Sequence, residues 1–154
     1  MNILKHFQRE GSNKHKDWTK TDVLELLSID AKKKSTLEAD AFISTNIDES
    51  ELLQPAKFQK IHISCLTGIN RNDQVSNWME LLLSLHKHRN FDMIEEEKNF
   101  SDYVNSLDKN SLDLPHVIEV DGKYYIGSNG KHRLTIAKCL GLVSFPVLVS
   151  QLKK

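Results

Sequence analysis

Cysteine is scarce in this chain of 154 residues: Cys65 and Cys139 stand far apart, with no CxxC and no Cys/His ligand spacing. That excludes a disulfide framework and a zinc ribbon, and leaves two free, partly buried thiols as the plain reading. The histidines do not fill the gap, because His86 and His88 sit two apart and would point in different directions on a helix. An excess of charge is missing as well. Twenty-one Lys and Arg balance twenty-one Asp and Glu, so no whole-molecule field draws the protein onto DNA, RNA or an acidic membrane, and any basic site must be local. Long hydrophobic runs are absent too. No stretch approaches the roughly 20 apolar residues of a membrane helix, and MNILKHFQREGSNKHKDW has no apolar run of signal-peptide length. No membrane partner is expected, and the location expected is cytoplasmic. Internal repeats and low-complexity tracts are missing, as are the Walker GxxxxGK[ST] and GxGxxG spacings.

What is present reads as one domain with an extension. Residues 2–10 suit a short helix ended by Gly11, and DVLELLSI at 22–29 a firmer one capped by Asp22 with Glu25 following. The charged stretch from 31 to 55 is the least ordered third by composition. KFQKIHISCL alternates as a half-buried strand that Gly68 and Asn70 break, and 73–87 spaces Val75, Trp78, Met79, Leu82 and Leu85 as a helix stripe. Those residues, like Trp18, read as core. After the solvated run Glu95–Glu97, Phe100, Tyr103, Val104 and Leu107 predict a further helix. The last forty residues predict a hairpin, 116–120 and 123–126 around Asp121-Gly122, then a helix over 131–140 stopped by Gly141, then an apolar strand at 143–149. Pro146 places that strand at an edge or a start.

Between the hairpin and its helix lies an unusual junction, Gly127, Ser128, Asn129, Gly130, Lys131, His132 and Arg133. A helix start leaves four backbone N–H groups without partners and carries partial positive charge. The two glycines allow close approach or positive φ, and Ser128 and Asn129 can cap or donate. Three basic residues there oppose the helix dipole by a few tenths of a kcal/mol each unless an anion compensates. Read alone, the junction is either an anion site or a solvated corner.

The run LPHVIEV, DGKYYIG, GKHR, LTIAKCLGL and FPVLV resembles the ParB/sulfiredoxin-like superfamily, whose signature is a hairpin, a Gly-x-(Arg or His)-Arg box opening a helix, a Leu-Gly pair and an Ile-Pro-Val strand. A looser match reaches back to Phe58. The resemblance implies an α+β fold, a small mixed sheet packed by helices over residues 58–154, behind a partly helical N-terminal extension over 1–57. It places Gly130, Lys131, His132 and Arg133 on the box that holds nucleotide phosphates, with ATP or CTP and Mg²⁺ as the ligands implied. The sulfiredoxin catalytic Cys is replaced by Lys131, which argues against sulfinic acid reduction; Cys139 lies about two turns further on. No helix-turn-helix region follows this module before Lys154, so a centromere-spreading clamp is not expected.

A phosphoryl-transfer enzyme needs a carboxylate as base or metal ligand. Glu119 is the candidate, with Asp121 read as a turn residue. His132 is its catalytic companion and a possible phosphate donor, with packing at the helix start as the alternative. Arg71 is a second phosphate contact or an exposed loop residue. The expectation is therefore a bacterial or phage nucleotide-binding protein, an NTPase or phosphotransferase, holding phosphates with Gly127 to Arg133 and Arg71. The alternatives are a DNA-binding protein or nuclease of the same fold, and a non-catalytic regulatory module of a mobile element. The extension at 1–57 could dock a protein partner.

Overall fold

The structure, a computed structural model, describes residues 19–85 and 97–153. The expected helix at 2–10, Trp18, the pair His86 and His88, and Glu95 and Glu96 lie outside them. Two short helices lead in, α1 (Lys20–Leu26) and α2 (Ala31–Ala39), followed by β1 (Ile43–Ser44) and a 3₁₀ turn at Glu49–Glu51. Then come β2 (Lys57–His62), a 3₁₀ turn at Ile63–Cys65, β3 (Leu66–Ile69), α3 (Trp78–Ser84) and α4 (Glu97–Ser106). The chain closes with β4 (His116–Val120), β5 (Lys123–Ile126), α5 (Lys131–Leu140) and β6 (Ser144–Gln151). The class is α+β, with one mixed six-stranded sheet in the order β1-β3-β5-β4-β6-β2.

Local chemistry sets most boundaries. Thr19, not Asp22, caps α1: its hydroxyl accepts from the Asp22 amide at 3.0 Å while the Asp22 carboxylate accepts from the Thr19 amide at 3.2 Å, a reciprocal box that starts the helix earlier than its apolar stripe does. The stretch expected to be loosely ordered holds α2, capped by Asp30, which accepts from the Lys33 amide at 2.8 Å. Only Leu37 of that helix is buried, so its pattern gives no periodic signal. The predicted long helix from 73 starts instead at Trp78. Residues before it are taken by the chain leaving α2, through Phe42 N–H to Ser76 O and Trp78 N–H to Asp40 O. The single strand expected at 58–65 is two strands divided by a 3₁₀ turn, with β2 at one edge of the sheet and β3 near the other. Gly68 does not break β3. It pairs with Ile43, and a Cβ there would run into the Ile43 carbonyl.

Residues 19–44 share one buried cluster with the rest, in which Val23, Leu27, Leu37 and Phe42 join Trp78, Leu82, Phe145 and Val147. Phe42 meets Trp78 edge to face at 4.8 Å between ring centres. Lys138 of α5 knots this region together. Its ammonium donates to Leu66 O at 2.8 Å, pairs with Asp40 at 3.4 Å and lies 4.9 Å from the centre of the Trp78 ring.

The hairpin, α5 and the αL cap at Gly141 stand where the sequence puts them. β6 differs, because it is an interior strand, parallel to β4 and antiparallel to β2. Pro146 is tolerated there by timing. The Leu148 amide points to Pro115 O, so the nitrogen of Pro146, two residues earlier, faces the same side. The recorded β4 pairing begins only at Leu148, so no ladder bond to β4 is lost.

Candidate functional site

The junction at 127–133 leaves β5 beside the start of β4 and is laced to it. Gly127 N–H donates to His116 O at 2.7 Å, and His116 N–H to Asn129 O at 2.9 Å. The Asn129 amide group anchors the far side, donating to Asp113 Oδ1 at 2.8 Å and Leu114 O at 3.1 Å. Both glycines are required. A Cβ at Gly127 would strike the His116 ring, and one at Gly130 would strike Pro115, where φ is also +102°. Gly130 is the N-cap of α5 and supplies no side-chain bond to its first turn. Among the described residues the amides of Asn129, Gly130 and Lys131 have no recorded acceptor.

The basic residues part company. Lys131 lies 3.0 Å from Asp73 Oδ2, and Arg71 donates to Asp73 Oδ1 at 3.1 Å. Burial pushes the Asp73 carboxyl up, but Lys131 and Arg71 outweigh it and hold the group below its ordinary value. The anion that offsets the cation at this helix start is thus a carboxylate of the chain itself. Arg133 points the other way. It is 8% exposed, donates to the Tyr103 hydroxyl at 2.9 Å and faces Asp113 at 3.8 Å, so it ties α5 to α4. His132, the next candidate, is half-buried at the second position of α5.

Glu119 is not brought to the junction. It pairs opposite Tyr124 at the far end of the hairpin, about 10 Å along the strand from His116 at 3.3 Å per residue. Its oxygens are engaged by Gln151 at 2.6 Å and, weakly, by Tyr124 at 3.5 Å. The carboxylate the structure places at the junction is Asp73, which the sequence reading passed over. Only its neighbour Arg71 could have signalled it, since forty-two residues lie between Asp73 and the first of the junction's own strands at His116.

A second side chain escaped notice altogether. His116, at the start of β4, lies between two serines, with Nε2 at 2.8 Å from Ser150 Oγ and Nδ1 at 3.2 Å from both the amide and the hydroxyl of Ser128. Burial lowers its pKa, and the Glu49 carboxylate opposes that only in part. His116, Leu148 and Ser150 line a cavity of about 380 Å³ together with Glu49, Leu52, Gln54 and Ala56. The junction therefore has two flanks, a cationic one toward β3 and a histidine one toward β6.

Among the described residues no group of His, Cys, Asp and Glu could hold a metal ion by itself, and no helix is long and apolar enough to cross a membrane. No family model, curated protein or solved structure matches the chain.

Proposed function

We propose that this chain is a nucleotide-binding protein of the ParB/sulfiredoxin-like fold, an NTPase or phosphotransferase that holds phosphates on the cationic flank of the 127–133 junction. One observation carries the reading: Lys131 and Arg71 converge on a single carboxylate, Asp73, beside an α5 first turn that no side chain caps. Two cations on one anion, next to free amides, form a place where a phosphate would gain charge-assisted hydrogen bonds from both side chain and backbone. In this reading Asp73 keeps that place until a phosphate arrives, and its displaced carboxylate is then available as base or metal ligand. It takes the role first assigned to Glu119. Mg²⁺ would enter with ATP or CTP, neutralising phosphate charge beside Asp73. Arg133 acts from the interior by fixing α5, and the amides of Gly130 and Lys131 contact the ligand.

The finer fold assignment is supported by the hairpin, the αL glycine opening α5, the αL glycine closing it and the parallel pairing of β4 with β6. A DNA-binding protein or nuclease would use the same flank for a backbone phosphate, but a neutral chain with two cations there has little of the counterion release that sustains such binding.

Isothermal titration with Mg²⁺ and each of ATP, CTP, GTP and UTP, beside a duplex oligonucleotide, tests the reading. One nucleotide should bind, and Lys131→Ala should weaken it about tenfold, or ~1.4 kcal/mol, with the fold intact by circular dichroism. Binding of the duplex alone, or of no phosphate compound at millimolar concentration, overturns it.

A further inference from the structure

The histidine flank carries chemistry that phosphate binding does not use. The Ser128 amide donates to His116 Nδ1, and an amide cannot accept, so Nδ1 is the unprotonated nitrogen of the ring. Nε2 then bears the proton and donates it to Ser150 Oγ at 2.8 Å. Ser150 is 1% exposed and held in β6, so the ring is oriented from behind. In front of it stands an exposed hydroxyl, Ser128 Oγ, 3.2 Å from the same Nδ1. The amide fixes the tautomer, and the hydroxyl is the one donor at that nitrogen able to give up its proton. A nucleophile in reach of a base, with a third group orienting the base, is the arrangement that activates a serine.

The backbone fits as well. Ser128 sits on a tight turn from strand to helix, followed by the amides of Asn129, Gly130 and Lys131, which have no recorded acceptor among the described residues. Such amides can stabilise an oxyanion. The cavity before the hydroxyl has apolar walls in Leu52, Ala56, Leu114 and Leu148, with Glu49 among its polar lining residues and, among the described residues, no Lys or Arg. A negatively charged substrate finds no counter-charge there.

We propose that Ser128 is an acyl-accepting nucleophile, with His116 as its base and Ser150 as the positioning residue behind the ring, acting on small neutral esters or thioesters with an apolar acyl group. Ser128 Oγ attacks the carbonyl carbon and passes its proton to His116 Nδ1. The bond to the leaving alcohol or thiol then breaks, and that group leaves with the proton from Nδ1. Water attacks the acyl-serine, gives a proton to Nδ1, and the carboxylic acid departs as Ser128 recovers its hydrogen. The site stands on its own geometry and does not depend on nucleotide binding.

The test is labelling of the full chain with a neutral alkyl fluorophosphonate, read by intact mass and peptide mapping, together with hydrolysis of p-nitrophenyl butyrate. One adduct per chain is expected on Ser128. It should be absent in Ser128→Ala and form at least about 100-fold more slowly in His116→Gln. Ser150→Ala should keep the adduct but shift the pH profile of the labelling rate, which a merely structural serine would not do. If His116→Gln fails to fold, the wild-type profile decides, since the rate must fall with acid as His116 gains a proton. No adduct on the folded chain, an adduct elsewhere, a rate unchanged in His116→Gln, or a pH-independent rate overturns the proposal.

Discussion

Asp73 and His116 are two titratable groups held in opposite balances, and each makes a measurable prediction. Asp73 has a folded pKa below its ordinary 3.8, because Lys131 and Arg71 favour the carboxylate more than burial disfavours it. Its contribution is present above pH 3.8 and is lost as pH falls through the lower folded value. Asp73→Asn is expected to cost at most about 1 kcal/mol of stability, the range of partly exposed ion pairs. The same change should tighten binding of inorganic phosphate several-fold, because Lys131 and Arg71 lose their internal anion. Urea denaturation and titration calorimetry on one variant check both signs, and weaker phosphate binding would show that Asp73 does not compete for the site. His116 works in the other sense. Burial places its folded pKa below 6.5, so the unfolded chain binds the extra proton first as pH falls, and stability declines with acid from about 6.5 down through the folded value. Thermal melts between pH 7.5 and 5 should show that decline in the wild type and a shallower one in His116→Gln.

Within elements, glycine chemistry at α5 separates strain from space. Gly141 and Gly130 both have positive φ, +78° and +102°, but a Cβ at 141 meets nothing within 4 Å while one at 130 collides with Pro115. Gly141→Ala should therefore cost about 1–2 kcal/mol from backbone conformation alone. Gly130→Ala should cost more, by the price of moving Pro115 and the start of β4. Chemical denaturation of the pair checks the order, and equal losses would mean the junction adapts freely. Much of this element was legible in advance: a DG turn, a basic helix start and a terminal glycine are local signals, and they mark β4, β5 and α5 correctly. The ends of α1 and α3 were not legible, because the first depends on a cap outside the apolar stripe and the second on which chain segment claims residues 73–77. Arg133 shows the limit at a single position. Its place at the helix start was readable, yet its partner Tyr103 lies thirty residues away and turns the guanidinium inward.

Across the whole molecule, α1, α2 and β1 pack into the same core as the sheet, and Lys138 joins α5 to the end of α2 and to Trp78. A chain begun at residue 57 would uncover the β3 edge and the Trp78 and Phe42 contact. It is expected to lose fixed tertiary packing, shown by dye binding and loss of near-ultraviolet circular dichroism. A native-like spectrum would instead mean that 58–154 folds alone. Lys138→Ala should cost about 2 kcal/mol, since it leaves the Leu66 carbonyl without its donor and removes a mostly buried side chain over the indole. Equilibrium urea unfolding checks it.

The amino-acid order by itself determined the hairpin, the helix that follows it and the glycine-rich basic junction between them, because each rests on contacts within a few residues or on a periodic pattern. The split of 57–69 into two strands at distant places in the sheet came from pairing across the fold, as did the interior position of β6. So did the identity of the groups around the junction. Asp73, Tyr103, His116 and Ser150 are dispersed along the chain and carry no local motif, and only the sheet order and the packing of α4 and α5 bring them to one place, where distance and burial, not spacing in sequence, set their chemistry.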